Sequence, residues 1–119
     1  MEFKRLFTQR EAESALPLVR QIVADILETA RRIREMDQND DEQPVMQARL
    51  EEHLLELEEM GCSYKDWNFE IGLVDFPAVI DGETVFLCWR SDENELAWYH
   101  PIEEGYQGRR PLPRTSPVE

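Results

Sequence analysis

Four polar residues in the C-terminal half have types that could do chemistry together. Asp75, Arg90, His100 and Arg109 supply an acid, two guanidinium groups and an imidazole. A carboxylate beside an arginine has its charged form favoured, and a nearby histidine can act as general acid or base. Arg109 or Arg110 folding over the same surface would complete an anion site with Arg90, because each guanidinium presents a planar fork of donors. Asp75 and His100 are thus the catalytic candidates, and Arg90, Trp98 and Arg109 the ligand-binding ones. The plainer alternative is a cross-strand ion pair satisfying polar groups beside Trp98, since such networks perturb pKa values without doing chemistry.

Other residue types argue less. Cys62, Cys88, His53 and His100 are suitable zinc ligands, but the chain has no C-x-x-C or H-x-x-x-H pair, so no metal and no cofactor are expected. Glu103 and Glu104 beside His100 make an equally slight case for a looser carboxylate site. Cys88 comes within two residues of His100 across the expected ladder, and a catalytic thiol needs a lowered pKa and access. Between Leu87 and Trp89 it reads instead as a small buried hydrophobe. Cys62 follows a helix C-terminus, which does not favour a thiolate. No phosphate-binding glycine loop, nucleophile elbow or H-E-x-x-H helix occurs.

What must position these residues is the stretch from Gly72 to His100. Asp81-Gly82 lies between two apolar runs and tolerates positive φ at both central positions, so it predicts a two-residue type I′ hairpin. That turn opposes Ile80 to Glu83, Ala78 to Val85, Phe76 to Leu87 and Asp75 to Cys88. Pro77 withholds a ladder donor and predicts an edge strand. A second turn, Ser91 to Glu95 with Asn94 in the left-handed region, opposes Cys88 to Trp98 and Phe86 to His100. Side chains alternate along a strand. Val74, Phe76, Ala78, Val85, Leu87, Trp89, Ala97 and Tyr99 then share an apolar core face. Leu73, Asp75, Phe86, Cys88, Arg90, Leu96, Trp98 and His100 share the other. A one-residue slip in the second turn would move His100 to the core face.

Upstream, Thr8 and Glu11 form a capping-box signature. Apolar residues at spacings of three and four from Ala12 to Met36 predict a helix from Gln9 to Met36, about 42 Å long. Pro17 lies beyond its first turn and predicts a kink or a break. After a polar linker, 37–43, Pro44 opens a second helix whose stripe carries Met46, Leu50, His53, Leu54, Leu57 and Met60, and which Gly61 ends. The first helix overhangs the second. Its surplus apolar stripe must be covered by the sheet, by itself or by another protomer. Residues 62–70 read as a connector.

The chain of 119 residues suits one domain, 1–110, with a proline-rich, flexible tail at 111–119. Its 26 acidic against 13 basic residues give a net charge of −13. That disfavours nucleic acid and anionic membrane, both of which bind through clustered Lys and Arg. The N-terminus lacks an apolar signal region, and two cysteines without one point to a cytoplasm.

Several strings stand in order: Phe7-Thr8-x-x-Glu11-Ala12, Leu16-Pro17, Gly72-Leu73-Val74-Asp75-Phe76-Pro77, Leu87-Cys88-Trp89 and Gly105-x-x-Gly108-Arg109. In these the chain resembles the bacterial family catalogued as domain of unknown function 2203. The resemblance implies a small prokaryotic cytoplasmic protein and supplies no catalytic residues. The expected fold is α+β: a long antiparallel helical hairpin, its first helix kinked near Pro17, on a three-stranded antiparallel meander. Two functions follow from it. One is a non-enzymatic interaction module, acting on itself or another protein and possible as a homodimer. The other is a small-molecule, anion-binding or hydrolytic site built from Asp75, Arg90, His100 and Arg109.

Overall fold

A computed structural model describes residues 2–113. Helix α1 runs Gln9–Glu35 and α2 runs Gln43–Glu59. Five strands follow: β1 (Ser63–Tyr64), β2 (Leu73–Ile80), β3 (Glu83–Arg90), β4 (Trp98–Pro101) and β5 (Arg110–Pro111). They form one antiparallel sheet in chain order. No helix among the described residues is long and apolar enough to cross a membrane.

The helix ends are set by local chemistry. The Thr8 hydroxyl accepts from the Glu11 amide at 3.0 Å, and the Thr8 amide donates to the Glu11 carboxylate at 2.8 Å, completing the capping box. Helix α2 stops at Gly61, whose φ of 93° admits a left-handed residue. There the amides of Gly61 and Cys62 donate back to the carbonyls of Glu58 and Leu57. The expected break at Pro17 does not occur: α1 is continuous through it. Pro17 is exposed, while Leu16, Val19, Val23 and Ile26 are buried on the core side. Tertiary packing therefore carries the helix across the lost ladder bond.

The overhang of α1 is covered by the sheet. Ala12, Leu16, Val19, Val23 and Ile26 share one core with Val74, Phe76, Ala78, Val85, Leu87 and Trp89. From α2, Leu57 joins them. Phe76 and Trp89 are fully buried, so truncating either to alanine costs about 3–5 kcal/mol.

Both predicted hairpin registers hold, including Asp75 opposite Cys88 and Phe86 opposite His100. Asp81 and Gly82 have φ of 51° and 80°, as a type I′ turn requires. Several expectations need correction. The sheet has five strands, not three. Its outer two are each two residues long, too short to leave an alternation pattern. The residues read as a connector contain β1, and the residues read as a flexible tail begin at Pro111, the second residue of β5. Leu112 then donates its amide to Ala97, and Pro113 accepts from the Gln9 side chain. The rest of that tail, 114–119, lies outside the described residues.

Strand β2 is not an edge, because β1 pairs with it at Val74 and Asp75. Pro77 is tolerated because its carbonyl points away from β3, accepting from Phe7 at 2.7 Å. Its missing donor points the same way, so no β2–β3 bond is lost. Asn94 is not left-handed, since only Phe69 and Asp81 among the described non-glycine residues have positive φ. Strand β4 begins only at Trp98, so alternation fails before it: Leu96 turns into the core and Ala97 is exposed.

Candidate functional site

The second face of the sheet carries a buried polar cluster. Asp75 projects from β2, Cys88 from β3 and His100 from β4. All three are under 5% exposed. One ligating atom from each lies within 4.8 Å of the others. The His100 Nε2 and an Asp75 carboxylate oxygen are 3.2 Å apart. The Nδ1 of His100 lies 2.8 Å from the Pro101 carbonyl. A carbonyl only accepts, so Nδ1 carries a proton and Nε2 is the atom turned to Asp75. The Asp75 hydrogen bond pushes the His100 pKa up from its ordinary 6.5, against burial, which pulls it down.

Burial pushes the Cys88 thiol up to about 12, helped by the Asp75 carboxylate and opposed by Arg109. At neutral pH it is protonated and a poor nucleophile. Cys62, also pushed to about 12 by burial, lies in the hydrophobic core, and His53 pairs with Glu56 along α2. Neither approaches the cluster among the described contacts.

The cluster opens on a cavity of about 380 Å³. Leu73, Phe86 and Ile102 give it apolar walls, and the exposed Lys65, Glu103 and Glu104 stand at its mouth. A segment after β4 folds over this face. Gly105 accepts from the Gly108 amide at 2.8 Å in a single 3-10 turn, Tyr106–Gly108. A side chain at Gly108 would meet Glu104 at 2.5 Å, so only glycine allows this close return.

The two candidate arginines are engaged elsewhere. Arg109 forks onto both Glu93 carboxylate oxygens at 2.6 and 2.7 Å and donates to the Cys88 carbonyl at 3.1 Å. Its guanidinium lies 5.1 Å from the Trp98 ring and 4.8 Å from the Tyr106 ring. Arg90 donates to Asp92 at 2.6 Å and to the Tyr106 hydroxyl. Of the five proposed site residues, only Asp75 and His100 line the cavity; Arg90, Trp98 and Arg109 do not.

Sequence reasoning missed Glu93. Its carboxylate also accepts from the Arg90 amide at 2.8 Å, and its carbonyl accepts from Trp89 Nε1 and from Arg20 on α1. That hub fixes the β3–β4 turn. No local spacing links residue 93 to residue 109. The one signal was an acid placed in the turn nearest two arginines.

A family model described as "Uncharacterized conserved protein (DUF2203)" matches residues 5–112. The chain belongs to that family. The DUF2203 match takes in every helix and strand among the described residues, the polar cluster and the returning segment with Arg109. No curated protein and no solved structure matches the chain.

Proposed function

We propose that this protein binds a small molecule in the cavity over the second face of its sheet. The observation that carries this reading is the buried Asp75–His100 pair, facing a concave space of about 380 Å³. Buried titratable groups converging on an apolar pocket are the usual mark of a ligand site. A roomier cavity, about 570 Å³, lies between α1 and residues 94–96. None of the buried polar residues Thr29, Asp75 or His100 lines it, so it is the weaker candidate.

The pocket's charge favours an amphipathic ligand with a donor group over an anion. Glu103 and Glu104 outnumber Lys65 at the mouth, and both arginines are paired with other acids of this chain. Unaided proton transfer is also disfavoured, because both His100 nitrogens already have protein partners. The test is a thermal-shift screen of metal-free protein over amines, carboxylates, nucleotides and phosphate. Stabilisation by an amine-bearing compound, lost in Leu73→Trp, supports the reading. No shift with any compound, or a shift unchanged in Leu73→Trp, sinks it.

A second reading, a protein-interaction module, draws on α2. Val45 and Leu55 are 49% and 50% exposed there, and Trp67 is 63% exposed beyond its end. Self-association is its simplest form. Light scattering that reports a monomer from micromolar to millimolar concentration would remove the dimer. Two free buried cysteines fit a reducing bacterial cytoplasm, where we place the protein.

A further inference from the structure

We infer that Asp75, Cys88 and His100 form a binding site for a zinc-type divalent metal, with one coordination position open to the pocket. The inference extends the ligand-site reading but rests on different groups. Its ligands are the three buried side chains themselves, not the cavity walls.

The donor set fits such an ion. Thiolate, imidazole and carboxylate are the three side-chain types that zinc takes, and three protein ligands leave a fourth position for water or ligand. The sheet aims them at one point. Asp75 and Cys88 are directly opposed across β2 and β3, and His100 lies on β4 opposite Phe86, one diagonal step from Cys88. All three positions share a face.

The histidine is already prepared for coordination. Its Nδ1–H is held by the Pro101 carbonyl at 2.8 Å. That is the outer hydrogen bond which fixes ring orientation and leaves Nε2 for a metal. Nε2 and the Asp75 oxygen stand 3.2 Å apart, close to the roughly 3.3 Å edge of a tetrahedron with 2.0–2.1 Å bonds. The Cys88 sulfur lies within 4.8 Å of both atoms, so a closure of at most about 1.3 Å meets a 2.3 Å zinc–sulfur bond.

Charge points the same way. Asp75 and Cys88, both buried, bring two acidic groups into one dry space. A dication resolves this: it takes the thiolate, releases the Cys88 proton to solvent, and leaves carboxylate, thiolate and metal formally neutral together. Cys62 and His53 lie outside this arrangement and serve as internal controls.

The experiment uses the full chain, stripped with chelator and titrated with Co²⁺ alone, then with Zn²⁺ in competition. The expected result is one cobalt per chain, with a thiolate-to-cobalt charge-transfer band that zinc displaces. The band disappears in Cys88→Ala, weakens at least tenfold in apparent affinity in His100→Gln and Asp75→Asn, and persists in Cys62→Ala. A wild-type protein without the band, or a band that survives in Cys88→Ala or vanishes in Cys62→Ala, overturns the assignment. Circular dichroism of each variant separates lost binding from lost folding. Leu73→Trp keeps all three ligands and should keep the band. The small-molecule screen uses metal-free protein, so either reading can fail while the other stands.

Discussion

Two polar clusters meet at β3, one part-buried and one buried, and they are built differently. The Arg109–Glu93 clasp is closed. Its guanidinium is forked onto one carboxylate, bonded to a backbone carbonyl and covered by Trp98 and Tyr106. The Asp75–Cys88–His100 cluster is open. Its three side chains meet at the edge of a cavity, with the imidazole and the thiol both turned to the one Asp75 carboxylate. A closed cluster spends its bonding capacity on holding the chain. An open one keeps capacity for something else. Residue type alone would not separate them, since each pairs an acid with a base.

The largest expected effect comes from breaking the closed cluster. Glu93→Ala strands a part-buried guanidinium and frees the β3–β4 turn, at a cost of roughly 2–3 kcal/mol in urea unfolding. A loss under about 1 kcal/mol would show the clasp to be no more than a surface pair.

The open cluster should respond to pH. The folded-state pKa of His100 is raised, so its contribution is complete below the unfolded value near 6.5 and fades as pH climbs through the raised one. A double-mutant cycle of Asp75→Asn and His100→Gln on metal-free protein should give a coupling of about 0.5–3 kcal/mol just below pH 6.5, where the imidazole is protonated and the carboxylate still charged. The coupling should shrink in alkali; a flat profile would contradict the pair.

Cys88 should matter least to stability within that cluster. Cys88→Ala removes one buried atom and costs about 1 kcal/mol by thermal melting. Both native thiols, pushed to about 12 by burial, should resist alkylation at neutral pH until the chain unfolds. Rapid labelling of Cys88 in the folded protein would deny its burial. At the low end, Arg110→Ala breaks an exposed pair with Glu104 and should change stability by less than about 0.5 kcal/mol.

Much of this was legible in the residues. Asp81-Gly82 set the first hairpin, and strand alternation then placed Asp75, Cys88 and His100 on one face. Thr8, Glu11 and Gly61 marked helix ends. What escaped reading depended on contacts without local pattern. Two-residue strands carry no period. Arg20 reaches across from α1 to the carbonyls of Glu93 and Asn94. The Glu93–Arg109 pair spans a loop, a strand and a second turn. The candidate anion site therefore divided in two: its acid and imidazole met, while its guanidinium groups found nearer acids.

The bond from the Gln9 side chain to the Pro113 carbonyl, 3.1 Å long, has a topological consequence. It brings residues near the two ends of the described fold side by side, so the backbone is nearly a ring. A peptide linker from Pro113 round to Glu2, which keeps Phe7 and the Thr8 cap, with fresh ends opened in the exposed link at 37–42, should yield a circular permutant that keeps the same strand order.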